Sequence, residues 1–212
     1  MKRRTLDLLF SIGGLGLAVL MLVVGIVLTS NANFANSYVH DQLSAQHISF
    51  KPADQLTDEE KKSDCLREYA GKQLTTGKQA ECYANEFIGL HLKGISGGQT
   101  YADLGKPEAA LKAQVAQAEQ TNAANLPDLQ KQLAGVSAQR DTVFKGETLR
   151  GVLLTSYGFS EMGRKAGQAA LAMYLGAALL LLLSIAGLVH AFRTSASEAF
   201  AAPAPVRDKT TV

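Results

Sequence analysis

Charged residues are missing from two long stretches of this 212-residue chain. Residues 8–29 form one uncharged run of 22 positions, and residues 169–192 form another of 24, interrupted only by His190. Each run exceeds the roughly 20 residues that cross a bilayer core as a helix, and neither has the polar face of a helix in a soluble protein. The sequence therefore predicts two transmembrane helices. Because Asp, Glu, Lys and Arg are absent from both centres, we do not expect an ion or proton pathway.

Strand signals are nearly absent as well, since no run alternates β-branched residues and no Asn-Gly hairpin turn occurs. Helix-forming patterns fill the region between the two apolar runs. We therefore predict an all-α membrane protein in which two transmembrane helices flank an α-helical extracytoplasmic domain. The predicted segments are an N-terminal tail at 1–7, a first span at 8–29, the helical domain at 30–168, a second span at 169–192 and a disordered tail at 193–212.

The orientation in the membrane follows from basic residues near the ends of the spans. They precede the first span and follow the second, at Lys2, Arg3, Arg4, Arg193, Arg207 and Lys209. The positive-inside rule then assigns both termini to the cytoplasm and residues 30–168 to the extracytoplasmic side. Arg164 and Lys165 flank the second span on the opposite side, but long loops translocate largely regardless of charge. We expect a two-span protein of the cell membrane.

The first apolar run has one alternative interpretation, which is a cleaved signal peptide. The basic start "MKRR" and the small residues Ser30 and Ala32 resemble the flanks of such a peptide. The run is longer, however, than the roughly 7–15 residues usual for the apolar part of a signal peptide. An uncleaved anchor is therefore the preferred interpretation.

Residues 31–168 have no excess of basic charge. They contain 15 Lys and Arg against 16 Asp and Glu, which gives a net charge of −1. No basic face is available for nucleic acid, which would also lie in the wrong compartment. The expected partners are the lipid bilayer and other membrane proteins, or a second copy of the chain.

Cysteine is scarce, and its two occurrences, Cys65 and Cys82, lie 17 positions apart. Outside the cytoplasm two such cysteines are expected to form a disulfide. A short turn near Gln73 between two helices would bring them to similar heights on facing legs. Free thiols, a redox pair and a metal site are the alternatives. Redox pairs are more often C-x-x-C, and a zinc site needs about four ligands.

The helices around the cysteines have recognisable boundary residues. The first helix is expected to begin after Thr57 and to end at Gly71, and the second to begin near Thr75 or Thr76. The stretch "KGISGGQTYADLGK", residues 93–106, predicts a Gly-rich loop. Pro107 is then expected at the first position of the next helix.

Small residues recur within both spans and predict close helix contacts. The candidate packing residues are Gly14, Ala18, Gly176 and Gly187. Such residues let helix backbones approach closely, and we expect them to pack against a partner in the membrane. The alternative is that they reflect only the usual abundance of Gly and Ala in membrane helices.

Catalytic motifs are missing from the region between the spans, which has no G-x-S-x-G, H-E-x-x-H or S-x-x-K arrangement. Glu86 and His91 are five positions apart, and His40 is next to Asp41, so neither pair shares a helix face. We therefore predict no catalytic residue, no metal or cofactor site and no enzymatic activity. A site assembled from distant residues is the alternative.

Two segments carry a resemblance to a known group of proteins. "CYANEFIGLHLKGISGGQTYADL" and "FKGETLRGVLLTSYGFSEMG", which leads into the second apolar run, resemble uncharacterised actinobacterial two-span membrane proteins. The resemblance covers most of the region between the spans and both spans. It implies a Gram-positive envelope and the topology given above, and it supplies no catalytic residues.

Two functions are compatible with these observations. The first is a non-enzymatic accessory or scaffold protein that associates with a larger cell-envelope complex. The second is an extracytoplasmic ligand-binding sensor domain that signals through a partner. The short C-terminal tail contains no output module, which favours the first.

Overall fold

The computed structural model describes residues 3–194, and helices make up 85% of the structure. No β-strand occurs among these residues, which confirms the all-α part of the predicted fold class. The α-helices are α1 (Arg3–Ser44), α2 (Asp64–Tyr69), α3 (Gly77–Cys82), α4 (Gly89–Ser96), α5 (Tyr101–Thr121) and α6 (Leu126–Arg193). Two 3-10 turns, Ala53–Gln55 and Glu60–Lys62, precede α2, and a π-helical turn, Tyr83–Ile88, joins α3 to α4. From position 195 the predicted disordered tail lies outside the described residues.

The chain divides into two compact units. Of the described residues, 3–33 and 164–194 form the helix-pair unit, and Phe34–Gly163 form the central unit. Both α1 and α6 contribute residues to each unit, because each helix runs past a unit boundary.

Helices α1 and α6 are each long and apolar enough to cross a membrane. The mean hydropathy of the most apolar part of each is 2.6 in α1 and 2.3 in α6. An uninterrupted helix also satisfies its own backbone hydrogen bonds, as a hydrocarbon environment demands. Length and composition therefore confirm two candidate spans, while the sidedness of the termini stays a prediction.

The core of the central unit gathers around the two cysteine-bearing helices. Its buried apolar side chains come from α1, α2, α3, α4, α6 and the connecting segments, and they are Val39, Leu43, Phe50, Leu66, Leu74, Ala80, Cys82, Ala84, Ile88, Leu92 and Leu153. The members at 80, 84, 88 and 92 recur every four residues, a period that drifts around a regular helix of 3.6 residues per turn. The wider turn of the π-helical segment between α3 and α4 offsets this drift, because its hydrogen bonds run from i to i+5. The sequence period thus accounts for the π turn.

A short antiparallel backbone pairing corrects the expectation of purely helical structure. The amide of Phe50 donates to the carbonyl of Lys72 at 2.9 Å, and that of Leu74 donates to Ile48 at 2.8 Å. The bridge centres on Ser49 and Gln73. Sequence patterns missed it because only two or three residues on each side take part, which is too few for a detectable alternation.

The first cysteine-bearing helix begins later than predicted. Helix α2 starts at Asp64, and the hydroxyl of Ser63 caps it by accepting from the amide of Leu66 at 3.4 Å. Thr57 instead exchanges hydrogen bonds with Glu60 in a capping-box arrangement around the 3-10 turn. Gly71, with φ at 72°, follows the end of α2 as predicted, and Thr76 caps α3.

The predicted loop at residues 93–106 is wrong apart from one turn. Helix α4 continues to Ser96, and Gly97 and Gly98 turn the chain with φ angles of 61° and 85°. A capping box between Thr100 and Asp103 then starts α5, so Pro107 lies inside this helix. A proline inside a helix removes one hydrogen bond and crowds the carbonyl four residues earlier, which costs about 3 kcal/mol. The 21-residue helix nevertheless continues through Pro107.

Helix α6 is a single helix of 68 residues. Pro127 is its second residue, where the missing amide hydrogen has no partner to lose. Gly158 and Gly163, which could have interrupted the helix, lie within its uninterrupted range. Good helix formers on either side outweigh the roughly 1 kcal/mol that each glycine costs.

Candidate functional site

The two cysteines lie at disulfide distance in the central unit. Cys65 is the second residue of α2, Cys82 is the last residue of α3, and their Cα atoms are 6.1 Å apart. Cys82 is 4% exposed and belongs to the core, whereas Cys65 is only partly buried. The structure therefore brings together the pair that the sequence predicted, on the two legs on either side of Gly71.

The disulfide joins two helices that are too short to be stable alone. Helices α2 and α3 have six residues each, and isolated helices below about 12 residues are marginal in water. Leu66 and Leu74 lie on either side of the turn and are buried to 1% and 0% exposure. The cross-link and this core are complementary, because the cross-link restricts the unfolded chain while the buried leucines stabilise the folded one.

A seam of small residues joins α1 and α6 within the helix-pair unit. Among its described residues, those with buried side chains or backbones are all Ala, Ser or Gly, and each helix repeats them every seven positions. In α1 they are Ser11, Ala18, Gly25 and Ala32, and in α6 they are Ala170, Ala177, Ser184 and Ala191. A strict seven-residue period is typical of helices that pack side by side with a left-handed twist.

The four candidate packing residues all lie at or beside this seam. Ala18 occupies one of the buried seven-residue positions, at 5% exposure. A Cβ atom on Gly14 would lie 2.5 Å from the hydroxyl oxygen of Ser184, so the glycine leaves room for that side chain. Gly187 faces Ser11 and Gly176 faces Met21 in the same way, and a Cβ on either would overlap the facing side chain. These residues meet within one chain, where the sequence had suggested a partner.

Polar contacts accompany both ends of the seam. Tyr174 lies over Gly25, where a Cβ would come within 2.7 Å of the ring, and its hydroxyl is 2.9 Å from that of Thr29. Towards the other end, Nδ1 of His190 is 3.0 Å from a carboxylate oxygen of Asp7. The seam therefore has a hydroxyl–hydroxyl contact near one end and an imidazole–carboxylate contact near the other.

Large aliphatic and aromatic side chains cover the outward faces of the same helices. Leu9, Phe10, Leu175 and Leu182 are between 61% and 71% exposed. A helix pair with small residues inside and large apolar residues outside is the reverse of a soluble helical hairpin, whose outward face is polar. The arrangement matches helices surrounded by lipid, where close backbone approach and not hydrophobic burial drives association.

Glu60 is a buried carboxylate of the central unit with a complete set of partners. Its side chain is 1% exposed, Lys51 donates to Oε1 at 2.8 Å, and the amide of Thr57 donates to Oε2 at 2.7 Å. Burial raises the pKa of Glu60, but the hydrogen bonds from Lys51 and Thr57 outweigh it, so the pKa lies below its ordinary value. Nε2 of His91 is 3.7 Å from Oε1, the oxygen that also accepts from Lys51. Glu60 is therefore an anion at neutral pH, and its role is structural.

Glu108 is a second buried carboxylate with a structural role, and it links α5 and α6. It is 7% exposed, and it accepts from Arg140, from Ser137 at 2.9 Å and from Lys112 at 3.0 Å. Hydrogen bonds from Lys112, Arg140 and Ser137 lower the pKa of Glu108 to about 2. Sequence reading missed both carboxylates, although Thr57-x-x-Glu60 matches a capping box and Glu108 with Lys112 is an i,i+4 pair.

The residues weighed for catalysis are not gathered into one site. His91 lies against Phe87 and Glu60, and Glu86 has no ion pair among residues 3–194. His40 and Asp41 both line a cavity of about 430 Å³ together with Ser160. Within the described part of the chain, no three His, Cys, Asp or Glu side chains cluster as metal ligands would.

Comparisons with protein-family models, with curated proteins and with solved structures found no match to this chain.

Proposed function

We propose that this chain is a non-enzymatic accessory or scaffold protein of the cell membrane, which associates with a larger cell-envelope complex. In this proposal both termini are cytoplasmic, residues 8–29 and 169–192 span the bilayer, and residues 30–168 are extracytoplasmic. The resemblance to uncharacterised actinobacterial two-span proteins suggests a Gram-positive envelope as the setting.

The observation that carries the proposal is the division of small and large residues on α1 and α6. The small residues are used within the chain, at the seam, and the large apolar residues point away from it. A hairpin of this kind needs no second protein to assemble, so its outward faces are available to lipid and to other membrane helices. The partner contact is accordingly assigned to the outward faces.

The state of the buried carboxylates supports a structural role for the central unit. Glu60 and Glu108 both have lowered pKa values, and each carboxylate accepts hydrogen bonds from more than one donor. A general acid or base works best with a pKa near the operating pH. Two strongly held anions are instead typical of groups that fix the relative positions of helices.

Affinity purification from gently solubilised membranes tests the proposal. The full-length chain should recover a reproducible set of membrane proteins, as identified by mass spectrometry. Paired changes on the outward face, such as Leu175→Ala with Leu182→Ala, should reduce recovery of the partner without unfolding the chain. A chain that runs alone as a monomer under every gentle condition would contradict the proposal.

Labelling of intact cells tests the proposed topology. In a Cys65→Ser/Cys82→Ser background, an impermeant maleimide should react with a cysteine placed at Gln99 and not with one placed at Thr210. Labelling at position 210 alone would reverse the orientation. A mature chain that begins at Asn33 would show that the first span had been removed as a signal peptide.

A cavity of the central unit favours a sensor as the second candidate. It has a volume of about 420 Å³ and is lined by charges of both signs, which include Glu86, Lys93 and Arg150. Ligand pockets commonly occupy about 300–1,000 Å³. A thermal-shift screen of the full chain with amino acids and short peptides would favour this function if a zwitterion stabilised it and Lys93→Ala removed the effect.

A further inference from the structure

We propose that Cys65 is the sulfur through which this chain exchanges disulfides with other molecules, and that Cys82 closes the exchange from inside the fold. The outside molecule belongs to one chemical class, a disulfide that two thiols can reduce. Both cysteines lie within the central unit. The inference therefore goes beyond the proposed accessory function and does not depend on it.

The two cysteines differ in how far they are buried. Cys82 is 4% exposed and belongs to the apolar core of the central unit. Cys65 is only partly buried, and it packs against that core from the second position of α2. Thiol–disulfide exchange requires direct contact between the attacking sulfur and the sulfur that is attacked. An outside molecule therefore meets Cys65 first.

The residues near each cysteine follow the same difference. Asp64, immediately before Cys65, has a side chain that is 93% exposed, whereas Leu66, immediately after it, is 1% exposed. Cys65 thus lies where the surface of α2 meets the core. The residues two positions before and two positions after Cys82 are both 0% exposed, and they are Ala80 and Ala84. Cys82 is therefore enclosed on both sides along the chain.

A hydroxyl group contacts the more exposed sulfur. Oγ of Ser63 is 3.4 Å from Sγ of Cys65. Because a disulfide sulfur carries no hydrogen, the hydroxyl is the donor. When the bridge is reduced, the same donor stabilises the thiolate of Cys65, which is the reactive form of a cysteine. Within residues 3–194 no hydrogen bond reaches Sγ of Cys82, and apolar surroundings disfavour a thiolate.

An open cavity adjoins Ser63. Ser63 is one of the residues that line the cavity of about 420 Å³ in the central unit. The same residue contacts Sγ of Cys65, so the sulfur lies one small side chain away from this space. The volume is within the range of about 300–1,000 Å³ that is usual for ligand pockets. Room for an outside molecule is therefore present next to Cys65.

The exchange proceeds in two steps. In the first, the thiolate of Cys65 attacks a sulfur of the outside disulfide, the bond between the two outside sulfurs breaks, and one of them leaves as a thiolate. In the second, the thiolate of Cys82 attacks Sγ of Cys65, the mixed disulfide breaks, and the other outside thiolate leaves. The chain loses two electrons and two protons, and the outside disulfide gains them to become two thiols. Cys82 is near enough for the second step, because its Cα atom is 6.1 Å from that of Cys65.

Exchange with the oxidised full-length chain is the most direct test. The chain in detergent is treated with reduced glutathione, quenched early with acid and mapped by mass spectrometry. The attacking thiolate bonds to the sulfur that it reaches and expels the other cysteine as a thiolate, so the attachment site reports access. We expect glutathione on Cys65 to exceed that on Cys82 by at least about tenfold in the folded chain, and by less than about twofold in guanidinium chloride. Equal modification of both cysteines in the folded chain, or a preference for Cys82, would overturn the inference.

Two matched variants separate the two steps. Cys82→Ala leaves only Cys65, Cys65→Ala leaves only Cys82, and both lack the cross-link. Oxidised glutathione should form a mixed disulfide with Cys65 in the first variant at least about ten times faster than with Cys82 in the second. This mixed disulfide should persist in Cys82→Ala and should be released from the reduced unsubstituted chain, which retains the resolving cysteine. Equal rates in two variants that resist trypsin as the unsubstituted chain does would contradict the inference.

Ser63 is a positioning residue in this exchange, and the pH dependence of the reaction tests its role. In the Cys82→Ala background, Ser63→Gly removes the hydroxyl, while glycine remains a favourable N-cap residue for α2. The change should raise the pH at which Cys65 reacts at half its maximal rate, and Ser63→Thr, which keeps a hydroxyl, should restore the original pH. A purely structural effect would change the rate without moving this pH. An unmoved midpoint in Ser63→Gly would refute the role of Ser63.

Discussion

In the helix-pair unit the buried positions hold only Ala, Ser and Gly among its described residues, whereas the central unit buries Phe50, Leu66, Leu74 and two carboxylates. The first unit is held by close approach of two helix backbones. The second combines apolar burial, a covalent cross-link and two ion-pair networks. The difference is the one expected for the proposed arrangement, with α1 and α6 in lipid and the central unit in water. Lipid gives little reward for burying large apolar side chains, and water gives about 25 cal/mol for each Å² buried.

Removal of the disulfide should have the largest effect and should be confined to the central unit. The Cys65→Ser/Cys82→Ser variant is expected to lose about 2–4 kcal/mol of its free energy of unfolding, since a loop of 17 residues is released in the unfolded chain. Denaturant unfolding followed by fluorescence of a Tyr69→Trp reporter would measure this. Equal stability of the two forms under oxidising conditions would show that the bridge does not form.

Filling the seam should weaken the helix-pair unit by about 1–3 kcal/mol, the usual cost of overpacking. A cysteine pair at Ser11 and Gly187, in the cysteine-free background, reports on the seam through the rate of cross-linking. Gly14→Leu should slow this reaction, because a side chain there collides with Ser184. Gly13→Leu is the matched control, since nothing lies within 4 Å of its Cβ position. If both variants behave alike, the seam is not the contact surface.

Acid should destabilise the central unit through Glu108 and leave the seam intact. The pKa of Glu108 is about 2 in the folded state against an ordinary value of 4.5. A lowered pKa stabilises the folded state fully above about pH 4.5, and the contribution is lost as the pH falls towards 2. Glu108→Gln should therefore flatten the decline of stability between these pH values. A decline as steep as that of the unmodified chain would assign acid sensitivity to other groups.

The smallest effect is expected from the hydroxyl contact near one end of the seam. Tyr174→Phe removes the hydrogen bond to Thr29 and retains the ring that covers Gly25. Hydrogen bonds between membrane helices contribute about 0.6 kcal/mol on average. The cross-linking rate of the Ser11 and Gly187 cysteine pair should therefore fall only about two- to threefold. A larger loss would indicate that polar contacts, and not small residues, hold the seam.

Sequence reasoning succeeded where one physical requirement controls a long stretch of chain. Uncharged runs as long as a bilayer is thick predicted the apolar parts of α1 and α6. The spacing of the cysteines on either side of a turn near Gln73 predicted their proximity. It failed where two local signals compete. Thr57 and Ser63 are both good N-cap residues. Which of them caps the cysteine-bearing helix α2 depends on the burial of Glu60 and Leu66. Thr100 likewise started α5 ahead of Pro107.

The seam was only partly predicted, although its signal is present in the sequence. Reading for pairs of small residues found Gly14, Ala18, Gly176 and Gly187 and missed the seven-residue period at Ser11, Ala18, Gly25 and Ala32. Which face of a uniformly apolar helix is buried depends on the neighbouring helix, which a single span does not reveal. Comparing the periods of the two spans would have indicated that they match.

The two-glycine turn between α4 and α5 offers a practical point of access to this chain. Gly97 and Gly98 are exposed, and no atom lies within 4 Å of the position a side chain would occupy at either residue. Added sequence is best tolerated at loop tips of this kind. An epitope or a small fluorescent domain inserted after Gly98 would follow the end of one helix and precede the cap of the next. Antibody binding to unbroken cells would then give a microscopist the sidedness of the chain without any change to α1 or α6.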